Sequence, residues 1–197
     1  MNALFAPAIM SRLMEDTSSD GFALLRRLAE HNPSEFCKVP GLVAKVIATI
    51  NHNDYRDSQA LGILATIAGQ GCNEEITAAM LALLETRLHD SACQVLERMP
   101  LDMRISSLNA VMKRETEYAL RVVHSVVVDP LLPCTRTTVR ASVFMLGRSA
   151  DYIPFVARLA RKDVGMVRGA WRIVPILARH VADGSEEALE VLHNVAI

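Results

Sequence analysis

Glu190-Val191-Leu192-His193 sets a carboxylate and an imidazole one helical turn apart, the E-x-x-H spacing with which di-iron helical bundles hold metal. That chemistry needs two such helices and two further inward glutamates, and the chain carries one copy, so no metal site is expected and His193 reads as a surface histidine. His31, His52, His89, His124 and His180 have no acid or cysteine at ligand spacing. His52 and His89 read as turn residues, and His124, among valines, as a core or boundary residue. Gly69-Gln70-Gly71 reads as a helix stop, because no Lys-Ser or Lys-Thr follows it to complete a phosphate cradle. No H-E-x-x-H and no G-x-S-x-G occurs. Cys37, Cys72, Cys93 and Cys134 are widely spaced, lack a C-x-x-C arrangement, and read as reduced, buried thiols. Cys134 would be a nucleophile only with a histidine beside it, and reads instead as a capping or packing residue at a helix start. No catalytic residue and no cofactor is therefore expected, and the chain reads as a non-enzyme.

Charge carries more information than motif. The formal net charge is −1, yet between Pro133 and His180 nine arginines and lysines face only Asp151 and Asp163. Arg168, Arg172 and Arg179 follow one another by four and seven positions and are expected on one helix face, as are Arg136 and Arg140. Such a strip would attract an acidic protein surface or a phosphate backbone. It also admits the plainer reading of a solvated face, with some arginines paired to Glu186 or Glu190. Trp171, the one tryptophan, stands between Arg168 and Arg172, where it could anchor an interface, although packing in the core is the leading expectation. The candidate partner- or anion-binding set is Arg136, Arg140, Arg158, Arg161, Lys162, Arg168, Trp171, Arg172 and Arg179.

These residues need elements to hold them. Apolar residues make up 51% of the 197 and aromatics only 5%, so the core must be built from small and aliphatic side chains that pack helix on helix. A single domain over residues 1–197 is expected. Helices are expected near 3–15, 20–31, 40–51, 55–69, 74–88, 90–99, 102–113, 115–128, 133–148, 151–161, 164–182 and 185–195. Asn73, Asp90 and Ser185 are the expected N-caps, with Glu74-Glu75 and Glu186-Glu187 in first turns. Pro40, Pro133 and Pro154 sit near helix starts, while Pro175 should kink its helix. Val122 to Val128 is rich in β-branched residues, but the stripe Leu120, Val123, Val127 favours helix. Mean hydropathy is +0.22, which fits a well-buried helical core. No apolar run approaches the roughly 18 residues that cross a bilayer. Met1 to Met14 lacks a basic leader, contains Pro7 and runs into Glu15 and Asp16, so a signal peptide is not expected and a cytoplasmic location is.

Repetition is present but degenerate. Leu42-Val46-Ile50 and Ile76-Met80-Leu84 stand 34 residues apart in equivalent places. Gly41-Leu42-Val43 through Ile50, then Ala60, Ile63-Leu64, Ile67-Ala68, Asn73 and Ile76, resembles one armadillo unit and the start of the next. Ile153 through Leu177, with Asp163 and Val167-Arg168 at the turn and second-helix start, is similar to a HEAT unit, and Val139-Arg140-Ala141 repeats the Val-Arg dipeptide. The resemblance implies an all-α, right-handed superhelical stack of about ten to twelve short helices that binds a partner rather than transforming it. Peptide-binding armadillo proteins hold their ligand's backbone with an asparagine on the third helix. Thr66 stands at the matching position and cannot present both an amide donor and a carbonyl acceptor. The expectation therefore moves from an extended peptide to the surface of a folded partner. The function expected is an adaptor or inhibitor that binds a protein partner through the arginine face. DNA binding by the 133–180 strip is the alternative, no membrane partner is expected, and homo-oligomerisation is left open.

Overall fold

The computed structural model describes residues 12–13, 19–50 and 54–196. Among them the chain is all-helical, 76% helix with no strand. The expected helix over 3–15 lies outside the described residues except for 12 and 13, which are helical, and His52 lies outside them entirely. Contacts gather in two compact units, Met1–Ser107 and Leu108–Ile197.

The first unit holds α1 (Ser19–His31), α2 (Pro33–Lys38), α3 (Leu42–Ala48), α4 (Asp54–Ile67), α5 (Asn73–Leu83) and α6 (His89–Glu97). The division between units falls within α7 (Leu101–Met112). Phe22, Leu25, Leu28 and Ala29 form the buried stripe of α1 and pack along α4, which buries Ala60, Ile63, Leu64 and Ile67 at helical spacing. Helices α3 and α5 pack together, with Leu42, Val46, Ile76 and Met80 buried.

Helix α2 was not expected, although its signals are in the sequence. Asn32 caps it by accepting from Glu35 N at 3.3 Å, and Pro33 fills the first turn, where no N–H is needed. Two expected caps move. Asn73 is the first residue of α5 rather than its cap, and its Oδ1 accepts from Gly69 N at 2.8 Å, serving the turn that precedes it. Asp90 lies in the first turn of α6, 2.7 Å from His89 Nε2, while Leu88 holds the cap position. Thr66 Oγ1 donates to Gly62 O at 2.9 Å within its own helix.

The second unit holds α8 (Glu117–Val127), α9 (Arg136–Leu146), a 3-10 turn (Ala150–Tyr152), α10 (Ile153–Lys162), α11 (Val164–Arg168), α12 (Ile173–Ala182) and α13 (Glu186–Ala196). The thirteen α-helices described exceed the ten to twelve expected. The valine-rich segment is helical: Ala119, Val122, Val123, Val126 and Val127 make a buried stripe that packs on α9. Burial of that stripe outweighs the modest loss of helix propensity at β-branched residues. Helix α9 opens on a capping box in which Thr135 and Thr138 each bond the other's backbone N–H. It packs on α8, α10 and α11; α10 in turn packs on α13, and α13 on α12.

The expected helix over 164–182 is two helices. A continuous helix would drive the Pro175 ring into the carbonyl of Trp171, so the chain breaks between Arg168 and Ile173, and Pro175 falls in the first turn of α12 instead of kinking its middle. Between α12 and α13 the reversal is a Schellman motif: Ser185 N donates to His180 O and Gly184 N to Val181 O, both at 3.0 Å, with Gly184 at φ +93. Ser185 then caps α13, its Oγ accepting from Ala188 N at 3.2 Å.

Candidate functional site

A cleft of about 1060 Å³ lies in the second unit between α9 and the α11–α12 corner. Its α9 wall follows from sequence spacing: Arg136, Val139, Arg140, Val143, Phe144, Gly147 and Arg148 recur at three and four positions, which places them on one helix face. Val139 and Val143 are buried at its base, and Phe144 is half-buried. Gly165 and Gly169 stand on the opposite wall, and Met166 and Ile176 complete the apolar lining. The break that Pro175 forces turns Trp171 and Arg172 out onto the rim. Trp171 is 78% exposed, so the expectation that it packs in the core is overturned.

The rim is cationic. Arg136 and Arg140 are exposed and make no ion pair among the described residues. Arg148 stacks on Phe144, its Cζ 4.7 Å from the ring centroid, and pairs with Glu115 at 3.3 Å. Arg172 stacks on Trp171 at 3.9 Å, which orients both groups. Asp163 is the one carboxylate on the lining, and its Oδ1 accepts from Met166 N at 2.9 Å as the cap of α11. The lining includes no histidine, cysteine or lysine. This arrangement can bind an anion next to an apolar group, and it holds no nucleophile with a base beside it.

Of the nine residues selected from sequence, four line this cleft: Arg136, Arg140, Trp171 and Arg172. Three cations are engaged by backbone carbonyls instead, with Arg158 half-buried and Lys162 and Arg168 still exposed. Arg158 Nη2 donates to Val127 O at 2.9 Å, Lys162 Nζ to Leu132 O at 2.6 Å, and Arg168 Nε to Val195 O at 2.9 Å. Val127 and Val195 belong to the last turns of α8 and α13, where carbonyls lack helical partners and a cation is favoured. Arg161 shares a smaller groove of about 360 Å³ with Glu187 and Glu190, and Arg179 is exposed on α12 outside both clefts. The expectation that Arg168, Arg172 and Arg179 share one helix face is therefore corrected, because the break leaves Arg168 at the end of α11, Arg172 at the cap position before α12 and Arg179 on α12.

Sequence reading did not select Arg148, Phe144, Met166 or Ile176. The first two were legible in the register of Arg136 and Arg140; the others depend on how α11 and α12 pack.

The remaining chemistry-bearing residues lie elsewhere. His124 is exposed rather than at a core boundary, with Nδ1 2.9 Å from Tyr152 Oη, and the Tyr152 phenol is pushed up by burial and then by Asp151. His89 opens α6 rather than sitting in a turn. Of the four cysteines only Cys93 is buried, and Cys37, Cys72 and Cys134 are half-buried. Cys72 Sγ donates to Cys37 O at 3.4 Å. Burial, reinforced by Cys72, pushes the Cys37 thiol up to about 12. Cys134 is also raised, by burial and then by Asp163, and its Sγ lies 3.7 Å from Leu159 O. Among the described residues no group of three or more His, Cys, Asp or Glu is placed to hold a metal, and no helix is long and apolar enough to cross a membrane.

No family model, no curated protein and no solved structure matches this chain. The site must be interpreted from its own geometry.

Proposed function

We propose that this chain is a non-enzymatic interaction module that binds a protein partner at the arginine-rimmed cleft of its second unit. The observation that carries this reading is the pairing of exposed Arg136 and Arg140 with an exposed Trp171 around an apolar floor. Tryptophan and arginine are the side chains that most often dominate protein interfaces. The finer reading of the fold, a HEAT- or armadillo-like superhelical stack in one domain, belongs to the same proposal. Its support is that helices within each unit pack largely on near neighbours in sequence, and that α3 and α5 repeat one pattern side by side. A cytoplasmic location also belongs to the proposal, and its support is that Cys37, Cys72 and Cys134 are thiols outside any disulfide.

The test is affinity capture from native lysate, with Arg136→Glu/Arg140→Glu/Arg172→Glu as control and generic duplex DNA titrated at two salt concentrations. Capture of a protein by the wild type and its loss in the variant supports the proposal. DNA binding with a steep salt slope, abolished by the same changes, would replace the protein partner with a nucleic acid.

A further inference from the structure

Resting on that proposal, we infer that the element the cleft recognises is an acidic amphipathic α-helix laid along α9. The shape favours an elongated ligand. From Arg136 to Phe144 the floor runs about 12 Å along the helix axis at 1.5 Å per residue, and Gly147 and Arg148 continue it beyond the helix end. That span suits two to three turns of a second helix and exceeds what one small anion can touch.

The pattern of the lining favours a helix over an extended strand. Apolar and cationic groups alternate along α9 with helical spacing: Val139, Val143 and Phe144 below, Arg136, Arg140 and Arg148 along the rim. A partner helix with apolar side chains at i, i+3 or i+4, and i+7 would fill the floor and set acids flanking that stripe against the guanidiniums. Charge complementarity selects acids, since Asp163 is the one negative group on the lining and is engaged as the cap of α11. Trp171, exposed at the corner, would cover one side of the bound helix.

The test selects a display library of randomised peptides about sixteen residues long, roughly 24 Å as a helix, on the full-length protein. Enriched peptides should be net acidic with an apolar stripe at helical period. One such peptide should shift the emission of Trp171, the chain's only tryptophan, to the blue. Arg136→Glu/Arg140→Glu should weaken it at least about tenfold, mostly through association rate. Gly169→Leu, at φ −71 where a side chain is accepted, should weaken it comparably by filling the cleft without changing charge. Both variants must melt as the wild type does.

Enrichment of neutral, basic or non-periodic peptides, no enrichment, or an affinity unchanged in both variants overturns the helix assignment. If it fails while Arg136→Glu/Arg140→Glu/Arg172→Glu still abolishes protein capture, the interaction proposal stands with a different ligand. If capture survives that variant too, both fall.

Discussion

The guanidinium carbon of Arg172 lies 3.9 Å from the centroid of the Trp171 ring, and Arg172 holds this position with φ at +66. A non-glycine residue in the left-handed region carries strain of order 1 kcal/mol or more. An exposed cation–π stack returns only about 0.5–1 kcal/mol. Stability alone therefore does not account for arginine at this corner.

Arg172→Gly is expected to leave stability unchanged or to raise it by up to about 1 kcal/mol, since glycine adopts positive φ freely. Affinity for the selected acidic peptide should fall in the same variant. Urea denaturation and fluorescence titration check the two halves. A clear destabilisation would mean that Arg172 is there for the fold.

The carbonyl-bound cations should behave differently from the rim cations. Arg168 binds Val195 O through a partly buried, charge-assisted hydrogen bond, so Arg168→Ala is expected to lose about 1–2 kcal/mol in chemical denaturation. Arg136, exposed on the cleft, should change stability by less than about 0.5 kcal/mol when replaced by alanine. Equal losses at the two positions would erase the distinction drawn between them.

Gly184 closes the turn between α12 and α13 at φ +93, and nothing lies within 4 Å of where a Cβ would stand. Gly184→Ala thus tests backbone conformation without steric crowding. It should destabilise by about 1 kcal/mol, read as a lowered melting temperature in calorimetry. A variant as stable as wild type would show that the Schellman geometry contributes little to the pairing of these helices.

Cys37 ties stability to alkaline pH. Its thiol is raised from 9.0 to about 12 in the folded chain, chiefly by burial and secondly by Cys72. The folded state therefore holds this proton when the unfolded state has lost it. The contribution is complete below about pH 9 and disappears as pH rises toward 12. Denaturation midpoints of the wild type should fall between pH 8.5 and 10.5 more steeply than those of Cys37→Ala. Parallel curves would show that the thiol does not titrate differently in the two states.

The sequence by itself determined that the described residues form short helices. The cap at Ser185 and the register of Arg136 with Arg140 rest on side chains within about one turn of each other, so local spacing suffices to read them, whereas the stripe of α8 runs through Ala119, Val122, Val123, Val126 and Val127 and leaves Leu120, expected in it, only half-buried. Asn32-Pro33-Ser34-Glu35 was equally local, and α2 could have been read from it. Only the tertiary structure decided which cations bind backbone carbonyls. Arg158, Lys162 and Arg168 find carbonyl oxygens 27 to 31 residues away, and a linear pattern holds no record of those meetings. Trp171 is exposed for a related reason. Pro175 lies four residues beyond it, where a continuing helix would place the proline ring against the Trp171 carbonyl, and the corner that relieves this clash turns the indole outward.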